Sequence, residues 1–193
     1  MNVALEIPRP EAHPDIERIL FSEEEIRTRV SEVAAEISRD YAGRKVTLIA
    51  VLRGSVFFLT DLARALTVPA RIDFLAISPF TPRTQPGHQP GMVRIIKDLE
   101  ESIEDEDVLL VEDVVDTGLT LRYLLGTLNS RLPRSLAACA FLDKTPRRLV
   151  DVPLGYRCFE IPDRFVVGYG LDYHQLYRNL PYVGVVKSEV FRG

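Results

Sequence analysis

The chain has 193 residues, 46% hydrophobic and 27% charged, with a formal net charge of −4, the make-up of one ordinary globular domain with a sizeable core. The negative balance argues against a nucleic-acid-binding protein, which usually needs a basic face, and no apolar run approaches the length of a membrane span. The first twenty residues, MNVALEIPRPEAHPDIERIL, set no basic region before an apolar one, so no secretory signal is expected. Cys139 and Cys158 sit in apolar segments and read as small buried thiols, in keeping with a reducing cytoplasm. His13, His88 and His174 are scattered, with no Cys or His pair at zinc spacing.

In chain order, Ser22 begins a helix, and Glu25 three residues on completes a capping box. Ile26, Val30, Val33, Ile37 and Tyr41 then recur at helical spacing, and Gly43 is a plausible stop. The continuous apolar run Val46 to Leu52 reads as a strand covered on both faces. A helical pattern follows from Val56 to Leu66. RIDFLAI, MVRII and VLLVE read as strands, Thr120 to Asn129 as a helix with Leu121, Leu124, Leu125 and Leu128 inward, and LAACAFL and FVVGYG as further strands. Alternating strands and helices with apolar strands predict an α/β fold: a mostly parallel central sheet with helices on its faces. No repeat or linker divides the chain. Ser78 to Gly91 stands apart, because Pro79, Pro82, Pro86 and Pro90 bar regular structure, and a loop this long in a compact domain is usually functional or disordered.

The stretch VLLVEDVVDTGLT, Val108 to Thr120, carries the chemistry. Val108 to Val111 is read as the strand, with Glu112, Asp113 and Asp116 just past its end. Ligands of open parallel sheets bind beyond the carboxyl ends of the strands. The turn Asp116-Thr117-Gly118-Leu119-Thr120 leads into a helix, and its amides and hydroxyls can wrap a phosphate with help from the helix dipole. Carboxylates ahead of that cradle can take ribose hydroxyls directly or through magnesium. The spacing suits a ribose 5-phosphate. A solvated acidic turn capping a helix would use the same residues, and on the residues alone both readings stand. Other strings are weaker. DTG also occurs in aspartic proteases, but those need two facing loops and only one is present. DKT at Asp143 to Thr145 lacks the glycine of a phosphorylated-aspartate loop, since Pro146 stands there. Neither G-x-x-x-x-G-K-[ST] nor G-x-G-x-x-G occurs, and neither cysteine has a histidine neighbour to make it a nucleophile.

VLLVEDVVDTGLT resembles the phosphoribosyl pyrophosphate (PRPP) binding motif of type I phosphoribosyltransferases. LIAVLRGSVFFLTDLAR, RIIKDL, FLDKTPRR and FEIPDRFVVGYGLDYHQLYRNLPYVGVV resemble, in order and over most of the chain, the hypoxanthine-guanine members of that family. The resemblance implies the type I fold as a single domain over residues 1–193. It adds a lid loop at about 78–91 and a small hood built from the N-terminal region and about 144–193. It implies transfer of a phosphoribosyl group from PRPP to a 6-oxopurine through an oxocarbenium-like transition state, with Mg2+ as cofactor. The partners implied are small molecules, with neither nucleic acid nor membrane, and a homodimer or homotetramer.

The resemblance also assigns roles. Arg53 and Gly54 form a pyrophosphate turn, often with a cis peptide before the basic residue, and Arg178 gives a second pyrophosphate contact; a guanidinium can bond two oxygens at once. Glu112 and Asp113 take the ribose and magnesium. Asp116, Thr117, Gly118, Leu119 and Thr120 hold the 5-phosphate, and Asp116 also handles the proton on purine N7 as general base. Lys144 bonds the 6-oxo group, which favours hypoxanthine or guanine over adenine. Phe165 stacks on the purine, Val166 offers backbone groups to its edge, and Asp172 lies near the second magnesium and the purine. Plainer readings also fit: surface charges for the arginines, a solvated lysine, a core phenylalanine, and a Glu112 that only orients its neighbours. The family's lid usually carries Ser-Tyr, where this chain has Pro79-Phe80, so that role is not carried across. The rivals are a regulatory protein that kept the PRPP fold without the chemistry, and a transferase using xanthine or another base.

Overall fold

The computed structural model describes residues 12–78 and 94–192. Residues 79–91, with Pro79, Phe80 and the rest of the expected lid, lie outside the described residues. The elements run β1 (Ile16–Phe21), α1 (Glu23–Asp40), β2 (Val46–Leu52), α2 (Val56–Ala65), β3 (Ala70–Ile77), β4 (Ile95–Lys97), β5 (Asp107–Val115), α3 (Leu119–Asn129), β6 (Ser135–Asp143), β7 (Tyr156–Glu160), β8 (Val166–Val167) and β9 (Val183–Val186).

β2 is apolar throughout because it is covered on both sides. Its side chains alternate between faces: Leu48 and Ala50, with Leu109 and Val111 of β5, pack under α1 and α2. Ile49 and Val51, with Val108 and Leu110, pack under α3. The helices fit those faces by their periodicity. Ile26, Val30, Val33 and Ile37 of α1 are all buried, and Leu121, Leu124 and Leu128 of α3 are too. The capping box forms: the Ser22 N–H donates to the Glu25 carboxylate at 2.8 Å and the Glu25 N–H to the Ser22 hydroxyl at 3.3 Å. Among the described residues no helix is long and apolar enough to cross a membrane.

The main sheet has the order β4-β3-β2-β5-β6-β7. All its pairings are parallel except that of β4 on the edge. From β2 the chain builds outward through β3, and from β5 it builds the other way through β6 and β7. The direction therefore reverses between β2 and β5, the point at which an open α/β sheet leaves a crevice beyond its strand ends. A separate antiparallel sheet, β1-β9-β8, joins the two ends of the described chain around Ile16, Val167, Tyr182 and Val186. It lies in the terminal segments where the hood is expected.

Four details differ from the sequence reading. β5 does not stop at Val111: it pairs with β6 as far as Val115, so Glu112 and Asp113 stand within the strand. FVVGYG supplies only the two residues of β8, because Gly168, Tyr169 and Gly170 all take positive φ, which a strand cannot accommodate. β1, β7 and β9 are strands that the sequence pattern does not announce. And β7 belongs to the main sheet, so the hood is not one continuous piece from 144 onward.

Candidate active site

The ends of β2 and β5 lie side by side, and a cavity of about 310 Å³ opens beyond them. From β2 come Arg53 and Gly54, and from β5 and its turn Glu112, Asp113, Asp116, Thr117, Gly118 and Thr120. Asp172 and Arg178 come from the loop before β9. A larger cleft of about 550 Å³ between α1, α2 and the Tyr169–Pro181 region holds none of the expected site residues.

The β2 end is held by backbone fit. The Leu52–Arg53 peptide is cis, and Gly54 lies against Asp113 so closely that a Cβ there would sit 1.5 Å from the Asp113 Oδ2. From the other side Gly170, at φ +99°, presses on the Gly54 carbonyl, 2.1 Å from where its own Cβ would be.

The β5 end turns into α3. Gly118 caps α3 with φ 83°, and the Leu119 N–H donates to the Thr117 hydroxyl at 3.4 Å. The first amides of a helix have no partner inside it, so those of α3 point toward the turn as anion donors. The Leu119 side chain is exposed and is not part of the cavity wall. Underneath, the N–H groups of Leu149 and Val150 bond the Thr117 carbonyl at 3.0 and 3.3 Å. Arg148 lies across Gly118, pairs with the buried Asp143, and keeps its Nη1 buried without a partner.

Lys144, Phe165 and Val166 stand apart from this cavity. Lys144 is set just beyond β6, its N–H bonded to the Val115 carbonyl at 2.9 Å, which ties it to the end of β5. Phe165 is 45% exposed, so the plain core reading of this ring fails. It meets Tyr173 and Phe191 edge-on, with centroids 5.6 and 5.2 Å away. Val166 is buried in β8 and pairs with Val185. Arg147 links the two regions: its Nε donates to Asp116 at 3.0 Å and its Nη1 to Asp163 at 3.4 Å. Arg147, Arg148 and Gln175 also stand beside the expected residues, and they are not singled out in the sequence. Only the basic pair after Pro146 could have signalled the first two.

The electrostatics of the acid pair are unusual. Burial, then the neighbouring Asp113, pushes the Glu112 carboxyl well above the usual range. Burial likewise lifts Asp113 to about 6, against the Val114 and Asp113 N–H groups and Arg178, which pull it down. Both side chains are therefore poor sites for negative charge unless a cation comes close.

A phosphoribosyl transferase domain model matches residues 19–174. The hypoxanthine-guanine phosphoribosyltransferase of Streptococcus agalactiae is 42% identical over 177 residues, which cover 92% of this chain and 97% of that one. A hypoxanthine phosphoribosyltransferase structure from Staphylococcus aureus superposes with a TM-score of 0.86 at 42% identity, covering 92% of this chain and 95% of the other. The chain belongs to the hypoxanthine-guanine phosphoribosyltransferase family. A Trypanosoma cruzi member in complex with its product IMP matches with a TM-score of 0.85 at 43% identity over 94% of this chain and all of that one.

The magnesium of this family can be tested against the donors. Among the described residues no group of three or more His, Cys, Asp or Glu side chains converges to hold a metal, so Glu112, Asp113 and Asp172 do not form a cage. Magnesium is commonly bound by one or two carboxylates together with substrate phosphates. Asp113 and Asp172, close enough for the charge on one to raise the other's pKa, fit that pattern.

The lifted Asp113 also fixes a stability prediction. In the folded chain it titrates near 6, against an ordinary value of 3.8, so the folded state binds the proton more tightly than the unfolded one. Its stabilising contribution is full below pH about 4 and is lost as the pH rises through about 6. Asp113→Asn should therefore unfold at higher temperature than the parent at pH 8, by on the order of 1–3 kcal/mol at about 1.4 kcal/mol per pH unit. The gap should close as the pH falls to about 4. Melting curves of both proteins across that range check it, and a gap that does not change with pH refutes it.

Proposed function

We propose that the protein converts hypoxanthine or guanine and PRPP into IMP or GMP and pyrophosphate, in purine salvage. The observation that carries this is the single cavity in which an acid pair, a phosphate cradle and two guanidiniums meet at the reversal point of the sheet. The cradle of Thr117, Gly118 and Thr120 with the first amides of α3 takes the 5-phosphate. Asp113, with Glu112 beside it, faces the ribose, and Arg53 and Arg178 take the charge that grows on the departing pyrophosphate. Asp113 and Asp172 would hold magnesium together with substrate oxygens, and the ion would supply further positive charge there. Asp116 accepts the purine proton as the base attacks. Lys144 donates to the 6-oxo group, Phe165 covers the purine face and the Val166 backbone reads its edge. The same reading makes the enzyme a cytoplasmic homodimer or homotetramer. Cys139 and Cys158, both buried free thiols, accord with a reducing compartment.

The test is incubation with PRPP, magnesium and hypoxanthine, guanine, xanthine or adenine in turn, following nucleotide by absorbance. Turnover of hypoxanthine or guanine is expected. A protein that binds PRPP and turns over no base is the regulatory alternative, and turnover of xanthine alone is the other.

Lys144 carries the specificity. An ammonium can only donate, whereas an amide donates or accepts. In Lys144→Gln the preference for hypoxanthine over adenine should shrink by about tenfold or more, the factor that 1.4 kcal/mol represents. Ratios of kcat/KM for the two bases check it. Adenine rejected as strongly as before would move specificity to the backbone near Val166.

A further inference from the structure

Two guanidiniums of the cavity meet on one neutral atom. The Oε1 of Gln175 accepts from Arg53 Nη1 at 3.1 Å and from Arg178 Nη2 at 3.2 Å. The position is built. Gln175 has φ +66°, and its backbone N–H donates to Asp172 Oδ2 at 2.8 Å, with the side-chain Nε2 on the same oxygen at 3.3 Å. Arg178 is fixed in turn by Asp172 at 2.6 Å and by the Gly170 carbonyl at 2.6 Å. Two like charges directed at one point form a seat for an anionic oxygen, and the amide oxygen stands in that seat.

We infer that Gln175 is a competitor for pyrophosphate built into the site: its amide oxygen takes the place of a pyrophosphate oxygen between Arg53 and Arg178, yields when pyrophosphate binds, and returns as it leaves. This rests on the assignment of the two arginines to pyrophosphate. Gln175 is thus a positioning residue that acts through the guanidiniums and sets how tightly pyrophosphate is held. The amide suits the role because it is neutral. A carboxylate at the same position would form full ion pairs with both arginines, harder to displace than a neutral oxygen, and would set a negative charge against the incoming anion. An apolar side chain would offer the arginines nothing to give up.

The experiment titrates magnesium pyrophosphate into the protein by calorimetry, with IMP, which has no pyrophosphate, as the parallel ligand. Gln175→Glu should bind pyrophosphate about tenfold or more weakly, and Gln175→Met about three- to tenfold more tightly. Both should bind IMP within about twofold of the parent, the ordinary scale for a surface change that touches no ligand. The residue is exposed, so both variants should fold, and melting curves confirm it. Weaker pyrophosphate binding by Gln175→Met would make the amide a ligand and overturn the inference. Equal losses of pyrophosphate and IMP would reduce Gln175 to a structural brace and overturn it as well. Arg178→Gln separates the underlying assignment: pyrophosphate affinity indifferent to that change removes the arginine clamp and the inference with it, whereas sensitivity to Arg178→Gln with no response to either Gln175 variant removes the inference alone.

Discussion

Asp116→Asn is expected to lower the rate of nucleotide formation by about a hundred- to ten-thousand-fold, the usual worth of a general base, while PRPP affinity changes by less than about threefold. The side chain keeps its shape and can still accept from Arg147, whose Nε lies 3.0 Å from Oδ1. What it loses is the ability to take the purine proton. The cradle itself does not depend on that carboxylate: Thr117 is held from below by Leu149 and Val150, and α3 starts from Gly118 whatever stands at 116. Arg147→Gln is the matching control. Arg147 and Asp116 are each a little under half exposed to solvent, and ion pairs at the surface contribute only about 0–1 kcal/mol. Its loss should therefore cost less than about tenfold. Single-turnover rates with PRPP pre-bound, alongside PRPP titrations, decide between the roles. A fall in PRPP affinity matching the fall in rate would make Asp116 an anchor for the ribose phosphate.

The central strands and helices were legible because their residues follow a single rule. Val46 to Leu52 is apolar without a break, and β2 has those bounds. Ser22 and Glu25 name a helix start, and the box forms there. Rules competed elsewhere. Glu112 and Asp113 look like the end of a strand because they are charged, yet the ladder to β6 continues through Val115, and the cost appears in their raised pKa values rather than in the backbone. β7 alternates, with Tyr156 and Cys158 inward, but five residues with Arg and Glu among them give a weak signal on an edge. β1 and β9 are strands only because they find each other across the length of the chain, which no local pattern reports. In the site, the cradle and acids were visible as a contiguous string. The approach of Gly54 to Asp113, and the meeting of Arg53, Arg178 and Gln175, join residues far apart in sequence, and the positive φ at His174, Gln175 and Tyr177 belongs to non-glycine residues that advertise nothing.

Gly54→Ala should damage both the fold and catalysis. Its Cβ would stand 1.5 Å from Asp113 Oδ2, 2.7 Å from Cγ and 3.3 Å from Cβ. The turn cannot retreat, because Gly170 closes on the Gly54 carbonyl from the opposite side. Nor does the carboxylate swing away freely, since Asp113 Oδ1 accepts the Val114 N–H at 2.7 Å. Overpacking of this kind costs about 1–3 kcal/mol, which for a chain of this size is about 2–4 °C of melting temperature per kcal/mol. The catalytic loss should be larger in proportion, about a hundredfold or more in kcat/KM for PRPP, because a shift of about 1 Å in a positioning group is enough for that, and here Arg53 and Asp113 shift together. The cause is separable from a general loosening of the fold. In the double variant Gly54→Ala/Asp113→Ala the two closest contacts vanish, so it should melt above Gly54→Ala alone, with a coupling of about 1 kcal/mol or more, and still lack activity because Asp113 is gone. Melting temperatures of the parent, both single variants and the double variant complete the cycle. Additive losses would mean that Asp113 is not what the methyl strikes, and a Gly54→Ala enzyme with near-parental kcat/KM would mean that the turn has room to move during the reaction.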